Sequence, residues 1–341
     1  MTVVSAAAVP AEAASPAHCR VHVRVQPAIE IEVALPANWN RRFQMAGNGG
    51  FGGDSPDSPA KVRERLASVR GGFVWAATNT GHDARETPQA DFAQDRQKLY
   101  DWAFRSLHVT VETARRLMQA YYGALPSRSY YLGCSGGGRQ GLIFAQRFPE
   151  DFDGIAVTAP FLNVTDQMLR NACDGNALAE SPLPQSKQQL LAKAIYEKCD
   201  PADGLTDGII SEPETCGFDA KRDLPRCAAG ANKPDCFTEA QILALSRIYS
   251  SFTAANGRVI PRWPVGAETD ANPTSGWNAW RLNFEGQSKG VRMAESFFRY
   301  AVPARPDAEW NVTLFSAEKD AARIQSLHAV VDATDPDLSA P

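Results

Sequence analysis

Residues 20–35, RVHVRVQPAIEIEVAL, alternate apolar and polar positions on either side of Gln26-Pro27, the period-two pattern of two strands joined by a short turn. Phe43–Ala46 predicts a further short strand, which runs into GNGGFGG, a glycine-dense loop able to bring backbone N–H groups close to a ligand. Within GGFVWAATNTGH, Phe73–Thr78 reads as a buried strand. From Phe92 to Tyr122 the period lengthens: Leu99, Trp102, Ala103, Leu107, Val109, Val111, Ala114, Leu117 and Met118 recur mostly at three and four residues, which predicts a long helix. A strand at Tyr130–Gly133, a helix at Gly137–Phe148 and a strand at Gly154–Thr158 follow. Strand, helix, strand, helix, strand is the pattern of a parallel sheet of the α/β class.

After Pro160 the pattern changes. Helices are predicted at 186–198, 238–252, 289–300 and 316–329, strand signals are few, and aromatics gather at Trp277, Trp280, Phe284, Phe297, Phe298 and Tyr300. The expected organisation is a sheet domain over residues 1–160, a helical lid over 161–330, and the start of a return to the sheet domain at 331–341. A chain of 341 residues suits this division, because a single hydrophobic core rarely grows beyond roughly 250–300 residues. Charge excludes two classes of partner. Lys and Arg number 35 against 39 Asp and Glu, with no basic run longer than a pair, so there is no electrostatic footprint for nucleic acid or an anionic membrane. No apolar stretch approaches the roughly 20 residues of a membrane helix.

The seven cysteines add a compartment. Cys199, Cys216, Cys227 and Cys236 bracket a stretch rich in Pro, Gly and Asp in the way short disulfide loops do, pointing to an oxidising, extracytoplasmic location. An odd count leaves one thiol without a partner. The start, MTVVSAAAVPAEAASPAHCRV, has no Lys or Arg ahead of its small residues and is interrupted by Pro10, Glu12 and Pro16, so no secretory signal is read there.

The sharpest chemical signal is YYLGCSGGGRQGLIFAQRFP, residues 130–149. A strand ends at Gly133, Ser135 sits at the bend and a helix follows small residues, the layout of a nucleophile elbow. A serine on so tight a turn has a strained backbone, and Gly133, Gly136 and Gly137 leave it room. The helix N-terminus directs N–H groups and partial positive charge at developing negative charge, which makes Gly136 N–H an oxyanion donor. The second donor is expected from Gly49 or Gly50 of GNGGFGG. Competing readings are weaker: a phosphate loop would need the Lys-Ser/Thr pair of the Walker pattern, and GCSGG in a chymotrypsin-like barrel would lack a following amphipathic helix. Cys134, a rival nucleophile, should point away from Ser135 because side chains alternate along a strand.

GFVWAATNTGHD, YDWAFRSLHVTVETARRLMQAYYG, GCSGGGRQGLIFAQRFPEDFDGIAVTAP and CDPADGLTDGIISEPETCGFD together resemble the tannase/feruloyl esterase family, over nearly the whole chain. The resemblance implies an α/β-hydrolase fold with a large lid inserted between the serine half and the Asp/His half of the sheet. It also implies hydrolysis of small aromatic esters, of gallate or ferulate type, through an acyl-enzyme on Ser135.

CDPADGLTDGII places Asp200, Asp203 and Asp207 in one turn-rich loop. Carboxylates so close repel unless a hard cation neutralises them, and Ca²⁺ takes such oxygen ligands; an ordinary series of Asx turns is the alternative. By resemblance to the family, a structural Ca²⁺ in the lid would be held by the carboxylates of Asp200, Asp203 and Asp207 and the carbonyls of Leu205 and Ile209. The resemblance likewise implies disulfides Cys199–Cys216 and Cys227–Cys236.

A serine nucleophile needs a base. The candidates are His18, His22, His82, His108 and His328, with His82, just after a strand end, best placed. The family's catalytic Asp and its His–Cys pair have no counterpart in these residues. The expectation is therefore a chain truncated at both ends, with an incomplete sheet lacking its C-terminal strands. Two classes follow: a serine carboxylesterase, or an inactive fragment or pseudoenzyme of the same family.

Overall fold

The computed structural model describes residues 1–12, 15–254, 257–269, 276–282 and 288–339. They form two compact units, one of residues 1–164 with 326–341 and one of 165–325.

The first unit is built on seven strands: β1 (Thr2–Val9), β2 (His18–Val25), β3 (Ile29–Pro36), β4 (Arg42–Ala46), β5 (Val74–Thr78), β6 (Arg128–Cys134) and β7 (Gly154–Thr158). Their order is β1-β2-β3-β5-β4-β6-β7. The first three and the β3–β5 pair are antiparallel, while β5, β4, β6 and β7 run parallel. The alternation in residues 20–35 sets the hairpin's register. Val21 faces Val33 and Val23 faces Ile31 on the buried side, and His22 lies opposite Glu32 and Arg24 opposite Glu30 on the other. A one-residue slip would turn every one of these side chains to the wrong face.

Crossover helices join the parallel strands: α1 (Pro59–Arg70), then α2 (Arg96–Tyr100) leading through a π-helical turn (Asp101–Arg105) into α3 (Ser106–Tyr122), and α4 (Gly136–Arg147). The long helix predicted from Phe92 is thus a composite, begun by a 3₁₀ turn at Asp91–Gln94. The core between sheet and helices joins Phe43, Met45 and Tyr131 to Leu107, Val111 and Met118 of α3 and Ile143 and Phe144 of α4. Full burial of each such side chain is worth roughly 1.5–3 kcal/mol.

Two elements of this unit escape the sequence pattern. β1 is an edge strand exposed along nearly its whole length, so no alternation marks it. Helix α1 buries Lys61, Arg65, Ser68 and Val69; Arg65 is spent on Glu32, and an inward face of charged residues hides the helical period.

The second unit is helical, with α5 (Val164–Ala179), α6 (Gln188–Cys199), α7 (Ala220–Asp223), α8 (Glu239–Ile248), a two-residue hairpin of Phe252–Thr253 with Val259–Ile260, α9 (Lys289–Ser296) and the start of α10 (Ala317–Val331), whose residues from Ser326 on belong to the first unit. Helix α5, also unpredicted, buries an Arg170–Asp174 ion pair along one face. Thr238 and Gln241 form a capping box that starts α8. Leu191, Ile195, Phe237, Ile242, Leu245 and Ile248 make this unit's core. The disulfides Cys199–Cys216 and Cys227–Cys236 are formed, and Cys19, Cys134 and Cys173 are free. Phe284 lies outside the described residues.

Candidate active site

Strand β6 ends at Cys134 and α4 begins at Gly136, so Ser135 alone makes the turn. Its backbone sits at φ 58° and ψ −116°, a region that costs a residue with a side chain on the order of 1–3 kcal/mol. Backbone hydrogen bonds hold it there. Ser135 N–H donates to the Thr158 carbonyl at 3.1 Å, and the Ser135 carbonyl accepts from Arg139 N–H at 3.1 Å and Phe161 N–H at 2.9 Å. The residue is left exposed.

Space around the turn is made by glycine. A Cβ on Gly133 would overlap the Gly137 carbonyl, and one on Gly136 would overlap the Gly50 carbonyl oxygen. The loop after β4 therefore lies directly on the elbow, with the Gly50 nitrogen 3.2 Å from where a Gly136 Cβ would be. Gly136 N–H belongs to the first helical turn and has no intrahelical acceptor. Gly50 sits exposed at φ 51°, and among the described residues its N–H donates to nothing. The two expected oxyanion donors are brought together beside Ser135, and Gly50 rather than Gly49 is the one packed on Gly136.

Polar residues that sequence reasoning passed over hold this arrangement. Asn48, 2% exposed, donates its side-chain amide to the Thr78 carbonyl at 3.0 Å. Arg139 is buried in α4 and donates at 3.0 Å to the carbonyls of Trp102, Ala103 and Val331, with its guanidinium carbon 4.2 Å from the centre of the Trp102 ring. Tyr131 and Gln140 meet beneath the Gly47 backbone. The available signal was an Arg-Gln pair between glycines at a helix start.

The histidines serve other partners. His18 Nδ1 lies 2.8 Å from the Pro16 carbonyl, and His22 pairs with Glu30 at 2.7 Å. His108 stacks on Phe148 and meets Asp151 at 2.8 Å; His328 pairs with Asp332. His82 is buried, stacked 4.0 Å from Phe92, with its Nε2 edge against Gly53. Burial, reinforced by the charge of Lys98, holds its pKa down at about 4, so it is neutral at pH 7. None of the five is hydrogen-bonded to Ser135 among the described residues.

In the acidic loop each carboxylate is turned on a local donor. Buried Asp200 accepts from Asp207 N–H and Gly208 N–H at 3.1–3.2 Å, Asp203 from Leu205 N–H and the Ser211 hydroxyl, and Asp207 from Ile209 N–H. The side chains do not converge: among the described residues no three acidic, His or Cys side chains are grouped to hold a metal ion. Leu205 and Ile209 are exposed.

The family model described as tannase and feruloyl esterase matches residues 14–340. The chain belongs to that family. It is 31% identical over 315 residues to a probable feruloyl esterase B-1 of Aspergillus oryzae, a match covering 90% of this chain and 55% of the relative. The crystal structure of feruloyl esterase B from Aspergillus oryzae superposes with a TM-score of 0.80 at 28% identity, over 99% of this chain and 69% of that one. A tannin acyl hydrolase from Aspergillus niger shares the fold, with a TM-score of 0.67 at 19% identity over 99% of this chain and 66% of that one. This member of the tannase and feruloyl esterase family spans between 55% and 60% of the length of such curated relatives. The chain has the α/β-hydrolase fold expected from sequence, which it shares with these relatives, and its own helical second unit carries the two disulfides.

Proposed function

We propose that this tannase-family chain carries the nucleophile of a carboxylic ester hydrolase that acts on an aromatic acid ester, with Ser135 attacking the acyl carbon. The alcohol would leave with a proton, and water would then cleave the acyl-serine. One observation carries the reading: an exposed serine at φ 58° on a strand-to-helix turn beside two N–H groups, those of Gly136 and Gly50, that are unengaged among the described residues. The aromatic acyl group rests on the relatives' names, which are those of feruloyl esterases and a tannin acyl hydrolase. An extracytoplasmic location is supported by the two disulfides.

A fluorophosphonate probe tests the nucleophile. Ser135 should be the labelled residue, and Ser135→Ala should abolish labelling; undiminished labelling of that variant would refute the assignment. That no imidazole among the described residues is hydrogen-bonded to Ser135 favours a second reading, a chain that folds and binds but barely turns over. Methyl ferulate or methyl gallate should then be hydrolysed well below the 1 s⁻¹ or so of ordinary enzymes. Turnover at or above that rate would dismiss the inactive reading.

For the acidic loop we propose a structural Ca²⁺ on Asp200, Asp203 and Asp207 with the Leu205 and Ile209 carbonyls, each carboxylate having lone pairs beyond those its present donors use. Chelation should lower the thermal midpoint, and Asp203→Ala should remove that sensitivity. Equal midpoints in Ca²⁺ and in chelator would count against the site.

A further inference from the structure

We propose that Gln140 is a positioning residue that sets the second oxyanion donor, its side-chain oxygen holding the Gly-rich loop against the helix that carries the first. The proposal rests on the reading of Ser135 as nucleophile.

Gln140 lies one turn into α4, five residues after Ser135, and is 2% exposed. Its Oε1 accepts the Asn48 N–H at 3.1 Å. Asn48 is two residues ahead of Gly50, so this bond ties the loop to the same rigid helix that presents Gly136 N–H. The distance between the two donors is thereby referred to a single element. The amide oxygen is itself fixed from below. The buried Tyr131 hydroxyl lies 3.0 Å from Gln140 Oε1 and 2.8 Å from the Gly137 carbonyl, and burial raises its pKa, so it remains a donor throughout the pH range of an assay. Gly47 lies flat on this pair; a Cβ there would meet the Tyr131 hydroxyl, Gly137 Cα at 2.7 Å and Gln140 Oε1 at 3.0 Å. From the far side Lys61 Nζ donates to the Gly47 carbonyl.

A buried N–H needs an acceptor wherever it occurs, and Gln140 could be that and no more. The difference lies in where the loop goes when the acceptor is lost. Its flanks keep their own bonds, Gly47 N–H to the Leu132 carbonyl at 2.9 Å and Gly53 N–H to the Asn79 carbonyl at 3.0 Å. Asn48 also keeps its side-chain bond to the Thr78 carbonyl at 3.0 Å, and Gly52 N–H its bond to the Gly49 carbonyl at 2.8 Å, so what is lost is the tie between the 48–52 main chain, which contains Gly50, and α4.

Two measurements on the 341-residue chain test this. In amide hydrogen exchange, Gln140→Leu should exchange Asn48 and Gly52, whose N–H groups are hydrogen-bonded within this stretch, faster by roughly 10-fold or more, as expected for one lost buried hydrogen bond, with α1 unchanged. Unchanged exchange there overturns the proposal. The rate of Ser135 labelling by a fluorophosphonate should fall by roughly 10- to 100-fold in Gln140→Leu, part of the effect of an oxyanion donor. Gln140→Glu, which keeps an oxygen where Oε1 was, should label at close to the parent rate. Equal losses in both variants, or none in either, overturn it. If Gln140→Leu does not fold, Tyr131→Phe takes its place, expected to give faster exchange at Asn48 and Gly52 and slower labelling; parent behaviour in both overturns the proposal. Labelling that survives Ser135→Ala would instead defeat the nucleophile reading, a result obtained without touching Gln140.

Discussion

Gly136→Ala is expected to slow the reaction of Ser135 with a carboxylic ester or a phosphonate by roughly 10²–10³-fold, the effect of removing one oxyanion donor. The added methyl would fall on the Gly50 carbonyl oxygen, 3.0 Å from the Asn48 carbonyl oxygen and 3.2 Å from the Gly50 nitrogen. Helix α4 is packed into the core through Ile143 and Phe144, so the loop must move and takes the Gly50 N–H with it. Stability should change much less, because alanine is favoured over glycine within a helix by about 1 kcal/mol, which offsets part of the strain. The kinetic loss beside a nearly constant thermal midpoint is the expected signature. A variant that labels at the parent rate would show that Gly50 is not a donor to the reacting group.

The largest effect on stability is expected at Arg139. Its guanidinium is buried, gives three hydrogen bonds to main-chain carbonyls and lies over the Trp102 ring. Burial lowers its pKa to about 10, with Asp332 opposing the shift, so it stays charged at neutral pH. Arg139→Met keeps most of the volume and none of the donors. The carbonyls of Trp102, Ala103 and Val331 lose their partner at 1–3 kcal/mol or so for a buried group, and Asp332 loses a neighbouring cation. A loss of roughly 3–5 kcal/mol is expected, the range for breaking a buried charged contact from one side. Urea or thermal unfolding measures it; a loss under about 1 kcal/mol would mean that other donors, water included, replace the guanidinium.

What could be read from the sequence divides by the range of the information. The elbow is local: a strand, one serine, then small residues, and the φ of 58° at Ser135 is the conformation those neighbours permit. The β2–β3 hairpin and the parallel strands are local too, since a period of two or a short apolar run announces them. Gly50 could be placed near Gly136 only by analogy of layout, because the packing joins residues 86 positions apart. Gln140, Tyr131 and Asn48 were invisible for the same reason, a network of three buried polar groups having no periodic signature. Helices α1 and α5 failed for a different cause, their inward faces carrying Lys61, Arg65, Arg170 and Asp174. The histidines show the limit most plainly: position after a strand favoured His82, and a stack on Phe92 decides what its ring does.

Where Gly136 meets Gly50 the contact is main chain upon main chain, and neither residue presents a side chain that could tell one acyl group from another. On the proposed reading, chemical competence and substrate choice would in that respect be carried by separate parts of the molecule. Residues elsewhere can drift from one ester to another without disturbing the donors, whereas the elbow itself offers evolution, or an engineer, almost nothing to adjust.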